Sequence, residues 1–235
     1  MQDKNHQKYH GLSELINSDK YLPLYNKYIA KKMVCDAGIG GEILDFGAGI
    51  GSLSIEWLNL TGIIPDCIEI DPELRKILSQ RGLPNYSALE SLNKTYDVIF
   101  TSNVLEHIQD DTSVLKQLNA YLKVGGSLLI YVPAFQIIYS DFDLKVGHYR
   151  RYNKANLSKK LIDAGFQLKS CEFIDCIGFF AWLWLKATGD RSTPSISEKK
   201  MMIYDKYIFP LSNIFDRYLF KYFFGKNIYF VAIKK

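Results

Sequence analysis

The stretch ILDFGAGIGSLS, residues 43–54, decides how the chain is read. An apolar run ending at Asp45 has the character of a buried strand, glycines at 47, 49 and 51 make a tight turn, and residues 50–60 carry helical spacing. Glycine has no Cβ, so such a turn lets a ligand approach the backbone closely. Its spacing distinguishes two kinds of cofactor. A dinucleotide turn, GxGxxG, needs a third small residue where the helix packs, and the register here offers Ser52 after Gly47 and Gly49. The GxGxG spacing, with an acid two residues before it, points away from a dinucleotide. The glycines alone leave a plain strand-to-helix connection open as well.

About twenty residues beyond Gly51 the sequence CIEIDPEL, residues 67–74, places Glu69 at a second strand end, where a carboxylate accepts hydrogen bonds from both hydroxyls of a ribose. Asp71, Pro72 and Glu73 suit an N-cap, a first helical position and an acidic first turn, so Asp71 is read as structural and Glu69 as the ribose ligand.

Outward from these motifs, strands and helices alternate. Strands are expected at 42–46, 63–70, 85–88, 97–102 and 127–132, and helices at 21–34, 50–60, 72–80 and 111–122. Strands apolar on both sides indicate a parallel sheet covered by helices on both faces. Asn153 caps a helix running to Ala164, Gly165 ends it, and 167–174 is a strand. The alternating NIYFVAIKK, after Gly225, completes seven strands. The expected domains are an N-terminal helical lid over 1–40 and one α/β domain over 41–235, with an aromatic-rich helical insertion at 176–225.

Two longer stretches carry a family likeness. YDVIFTSNVLEHIQDD, residues 96–111, and LNAYLKVGGSLLIYVPA, residues 118–134, resemble the fourth and fifth strands of class I S-adenosylmethionine-dependent methyltransferases. NVLEHIQDD together with DLKVGHYRRY, residues 143–152, is similar to a bacterial small-molecule branch of them. The resemblance implies a doubly wound, mostly parallel seven-stranded sheet with an antiparallel last strand. It also implies S-adenosylmethionine as cofactor, with S-adenosylhomocysteine as product. Cofactor contacts carry over to Asp45, Gly47, Ala48, Gly49, Gly51, Glu69, Ile70, Leu89 and Asn103, with Leu89 near the adenine; in such turns carbonyl oxygens around Gly47 would meet the methionine ammonium, backbone amides its carboxylate, and Asp45 would add negative potential. Ser87 and Ala88 stand where many relatives place an acid that reads the adenine amino group, and Ser52 replaces a common asparagine.

Methyl transfer to oxygen needs alignment and, for a hydroxyl acceptor, a base. His148, on the loop after the fifth strand, is the candidate base. Arg150 and Arg151 with Lys145 form a cationic cluster able to grip an anionic acceptor, one arginine alternatively pairing with Asp141 or Asp143, and Tyr149 and His107 join the acceptor side. Glu106 and His107 are read as structural, since two adjacent residues do not complete a metal site, so no metal is expected. Asp110 and Asp111 are read as helix caps. The aromatic segments of the insertion are expected to roof the site, the alternative being a membrane surface. The acceptor expected is a small molecule: a sugar, a lipid-linked sugar or another anionic metabolite. RNA or protein methylation and an inactive cofactor-binding regulatory module are the alternatives.

The 235 residues suffice for one α/β core with appendages. With 48% hydrophobic and 23% charged residues the chain is not of the disordered class. The net charge of +4 is spread along the chain and makes no basic face for nucleic acid. Cysteines at 35, 67, 171 and 176 form no CxxC pair and read as free thiols of a reducing cytoplasm. The polar MQDKNHQKYH start has no signal-peptide character. The longest apolar run, 177–185, falls short of the ~20 residues that span a bilayer.

Overall fold

The computed structural model describes residues 12–38, 40–188 and 197–235. Seven strands form one sheet: β1 (Ile43–Phe46), β2 (Asp66–Ile68), β3 (Asn85–Tyr86), β4 (Tyr96–Ser102), β5 (Leu122–Pro133), β6 (Phe166–Ile174) and β7 (Asn227–Lys234). Their order is β3-β2-β1-β4-β5-β7-β6. Every neighbouring pair is parallel except those of β7, which runs antiparallel to β5 and β6. The carboxyl ends of β1, β2, β4, β5 and β6 therefore share one edge with the start of β7. Strand order reverses between β1 and β4, the crevice where open α/β sheets bind ligands.

The helices are α1 (Leu12–Tyr21), α2 (Pro23–Ala37), α3 (Ser52–Thr61), α4 (Pro72–Gln80), α5 (Asp111–Tyr121), α6 (Asp141–Lys145), α7 (Lys154–Asp163), α8 (Cys176–Thr188), α9 (Glu198–Ile203) and α10 (Phe209–Tyr218). Successive strand residues point to opposite faces, so the central strands feed two cores. Leu44, Ile99, Leu128 and Phe230 pack with Leu115, Leu118, Leu157 and Leu161 from α5 and α7. Ile43, Phe100, Leu129 and Tyr229 pack with Ile29, Met33, Trp57 and Phe209 from α2, α3 and α10. Trp57 stacks on Phe100 with ring centroids 4.9 Å apart.

Most expected elements are found with shifted ends. The second strand starts at Asp66 because Gly62, at φ +75°, ends α3 and Pro65 has no N–H to donate to the sheet. Asp71 caps α4 through Glu73 N at 2.8 Å, and Asp110 caps α5 through Ser113 N at 3.0 Å. Asp111 is no cap: it is buried and paired with Lys160 at 2.5 Å and Arg150 at 3.0 Å.

The segment between β6 and β7 is tied down by its acids. Asp205 accepts hydrogen bonds from Leu24 N at 3.0 Å and Tyr25 N at 2.9 Å, capping α2 from about 180 residues away. Asp216 in α10 likewise accepts from Asp175 N at 2.7 Å and Cys176 N at 3.1 Å at the start of α8. As a roof this segment is only half realised. Trp182 and Phe209 are buried, whereas Phe180, Trp184, Tyr207, Leu211, Ile214 and Tyr218 are exposed. Among the described residues no helix is long and apolar enough to cross a membrane.

Candidate active site

The glycine turn lies at the carboxyl end of β1, and its glycines make room for the chain itself. Gly47, at φ +77°, would bring a Cβ within 2.4 Å of Val104, and Gly51, at φ +84°, within 2.5 Å of Leu83. Leu15 of α1 lies over Gly49, whose Cβ would meet it at 3.2 Å. The amides expected to bind a carboxylate are already engaged. Gly47 N and Ala48 N both donate to Ile68 O, at 2.9 and 3.0 Å, Gly51 N donates to Ala48 O at 2.8 Å, and Gly49 N to Glu69 at 2.8 Å. A turn whose amides are turned inward is a poor cradle for a pyrophosphate. It leaves carbonyl oxygens as the polar groups for an ammonium. Asp45 does not face outward either: it is buried and accepts from Ser54 Oγ at 2.7 Å, and burial pushes its carboxyl up to about 7.

At the end of β2, Glu69 is 8% exposed and accepts from Gly49 N and, at 3.0 Å, from Asp71 N. Each carboxylate oxygen retains a further lone pair. Burial raises its carboxyl against these hydrogen bonds. Next to it Ile70 is 81% exposed, an apolar surface beside a polar acceptor. Leu89 departs from its expected place near an adenine: it is 4% exposed and packs in the core with Leu44 and Leu92. Asn103, at the end of β4, holds φ +54° with its amide bonded to Tyr131 O at 2.8 Å, a strained conformation of the kind that collects at binding sites. A sulfonium nucleoside of methionine fits this donor set: carbonyls for the ammonium, Glu69 for the ribose and Ile70 for the base.

The acceptor-side residues gather beyond β4 and β5. His148 Nδ1 lies 2.7 Å from Asp143 Oδ1. Arg151 grips the same carboxylate through Nε at 2.9 Å and Nη2 at 3.0 Å, and Ser140 N adds a bond at 2.8 Å. Burial alone would raise the Asp143 carboxyl, but the bonds from His148 and Arg151 prevail and hold it below the usual carboxylate range. An ionised Asp143 fixes the proton of neutral His148 on Nδ1 and leaves a lone pair on Nε2. That nitrogen faces Glu106 Oε1 at 3.8 Å. His107 stands edge-on to His148 with centroids 4.6 Å apart, and burial, ahead of the neighbouring His148, lowers its imidazole to about 4.

Of the two readings of the arginines, the pairing of one with Asp141 or Asp143 is the one Arg151 follows. Arg151 is buried on Asp143, and Arg150 is held by Asp111 and by Gln109 O at 2.8 Å, while Tyr149 is exposed. The cation missed in the sequence is Lys226, just before β7. Its Nζ lies 4.8 Å from the Trp182 ring centre, and it pairs with no carboxylate within 4 Å among the described residues. Burial lowers its ammonium against the nearby Asp175. A Gly-Lys pair before the last strand is the only sequence signal of it. It becomes telling once β7 is known to start at the active edge.

Comparison with known proteins agrees with this geometry. The profile of a methyltransferase-domain family matches residues 14–170. The ubiquinone biosynthesis O-methyltransferase of Xanthomonas euvesicatoria is 26% identical over 154 residues, 55% of this chain and 64% of that protein. The Xanthomonas oryzae protein of that name matches over 42% of its length at 29% identity, so the match spans less than two thirds of these curated relatives. A SAM-dependent methyltransferase from Archaeoglobus fulgidus superposes with a TM-score of 0.62 at 19% identity, covering 94% of this chain and 99% of that one. With two thirds of its length inside the family profile, and with the sheet order and cofactor crevice described above, the chain belongs to the class I S-adenosylmethionine-dependent methyltransferases.

Proposed function

We propose that the protein transfers a methyl group to a hydroxyl oxygen of a small, amphiphilic acceptor. The observation that carries the methyl-transfer reading is Glu69, buried at the end of β2 beside the exposed Ile70 and next to a turn whose amides are engaged internally. When bound, S-adenosylmethionine supplies a methyl group already activated on a sulfonium. The task left to the side chains is to align the acceptor, exclude water and take up a proton.

His148 is the group suited to the proton, because the Asp143–Arg151 clamp orients its ring and leaves Nε2 as an electron-pair donor. Lys226, in place of the arginines, is suited to an anionic group on the acceptor. An oxygen acceptor is favoured by the O-methyltransferase relatives. Amphiphilicity is favoured by the exposed aromatic face between β6 and β7, which also exposes Lys186, Lys199, Lys200, Lys206 and Arg217 against Glu198 alone among its exposed acids in the described residues. Such a face suits an anionic lipid surface.

The test is a screen of hydroxylated metabolites and lipids with S-adenosylmethionine labelled in its methyl group. Label entering a hydroxyl-bearing small molecule supports the reading. Label entering only RNA or protein overturns the acceptor class. In an active assay, His148→Ala lowers turnover by about 100-fold or more, the usual share of a positioned base, with unchanged cofactor affinity.

A further inference from the structure

The geometry points to a divalent transition-metal site formed by Glu106, His107 and His148. One ligand atom from each lies within 4.8 Å of the others. Glu106 is 0% exposed, and neither carboxylate oxygen has a hydrogen-bond partner among the described residues. A carboxylate buried without partners costs several kcal/mol, roughly, unless a proton or a cation offsets its charge. Among the described residues no guanidinium or ammonium pairs with Glu106 within 4 Å: Arg151, whose charge acts on it from farther off, is committed to Asp143, and His148 Nε2 lies at 3.8 Å.

The surroundings hold all three donors in position. The turn Leu105–His107 is fixed by Tyr152 OH on Leu105 O at 3.0 Å and by Tyr149 N on Glu106 O at 2.8 Å. Each histidine has its other nitrogen anchored. His148 Nδ1 bonds Asp143, and His107 bonds the backbone of Gly147, toward which its Nδ1 lies. Anchoring one ring nitrogen on a carboxylate or a carbonyl, so that the other is aimed at an ion, is the outer shell metal-binding histidines ordinarily have. His148 then offers Nε2 and His107 one ring nitrogen to the ion, with Glu106 as the third ligand.

Two imidazoles and one carboxylate select zinc, cobalt, manganese or iron(II) over magnesium or calcium, which prefer all-oxygen shells. Metal–ligand distances of about 2.0–2.2 Å place ligand atoms ~3.3 Å apart, so separations of up to 4.8 Å close by as much as roughly 1.5 Å through side-chain rotation. Three protein ligands leave a coordination position open at the active edge. Resting on the methyl-transfer reading, that position takes the acceptor hydroxyl, whose proton is then lost more readily to water, His148 acting as a ligand in place of a base.

The test strips the full chain with a chelator and titrates it with cobalt(II), followed by visible absorption, and with zinc(II), followed by calorimetry. One ion per chain is expected, with Glu106→Gln and His148→Ala each weakening it at least tenfold and Asp143→Asn weakening it about 10–100-fold. Circular dichroism checks that the variants fold, and Glu106→Asp replaces Glu106→Gln if that one does not. Absence of binding, or binding unchanged in both the Glu106 and His148 variants, overturns the site. If no ion binds while His148-dependent methylation proceeds, the metal falls and the base stands. If the ion binds but S-adenosylhomocysteine does not, the methyl-transfer reading falls and the metal site stands.

Discussion

Asp45 shows how a single residue near the cofactor crevice shapes both fold and site. Its carboxyl, raised by burial to about 7, must be neutral for the folded state to be at its most stable. The sign follows from proton linkage. Between about pH 4 and pH 7 the unfolded chain releases a proton that the folded chain keeps, so the Asp45 contribution to stability is full below pH 4 and is lost as pH rises to 7. The isosteric Asp45→Asn variant removes this loss. Its melting temperature relative to wild type therefore climbs as the buffer moves from pH 4 to 7 and levels off above, and a difference independent of pH contradicts the assignment. Residues with local roles were legible in the sequence: Asp71 caps the helix it precedes. Residues with through-space roles were legible only in part. An arginine paired with Asp141 or Asp143 was anticipated, but the choice between those acids, the pairing of Arg150 with Asp111 and the convergence of His107 with His148 depend on how the loop after β5 folds back, which no spacing encodes.

Among the elements, those with a two-sided environment were read most faithfully. Val98–Phe100 in β4 and Leu128–Val132 in β5 are apolar runs because both faces are covered there, whereas β2 is cut short by Pro65. The helices between β6 and β7 were harder. FFAWLWL is apolar around the whole circumference of α8, so periodicity does not say which side is buried, and both Trp182 and its exposed neighbour Trp184 satisfy the same pattern. What anchors this segment is polar. Asp205→Ala leaves two amides of α2 without their acceptor and should cost about 1–3 kcal/mol, measured by urea unfolding, with Asp205→Asn recovering part of it. A change below ~0.3 kcal/mol would show that the cap is dispensable. The exposed aromatic and basic face makes a separate prediction. The protein should float with vesicles containing anionic phosphatidylglycerol, less with neutral phosphatidylcholine, and substitution of Trp184 and Tyr218 by serine should abolish flotation. Equal recovery with and without vesicles contradicts a lipid-facing role.

At the scale of the whole molecule, alternation of strands and helices was enough for a covered parallel sheet. The reversed last strand came through family likeness rather than periodicity, and the order β3-β2-β1-β4-β5-β7-β6 was not read from the sequence, because strand order is set by packing between distant segments. That order brings Glu69, Asn103, His148 and Lys226, spread over some 160 residues of chain, to one edge of the sheet. The crevice between β1 and β4 is therefore the centre of the functional account, and its ligand is open to direct measurement. Titration of the full chain with S-adenosylhomocysteine in a calorimeter should show binding at one site per chain, weakened about 10–100-fold by Glu69→Ala, as loss of hydrogen bonds to a charged acceptor requires. No binding by the wild type, or equal affinity in wild type and Glu69→Ala, would contradict the assignment of this edge to the cofactor.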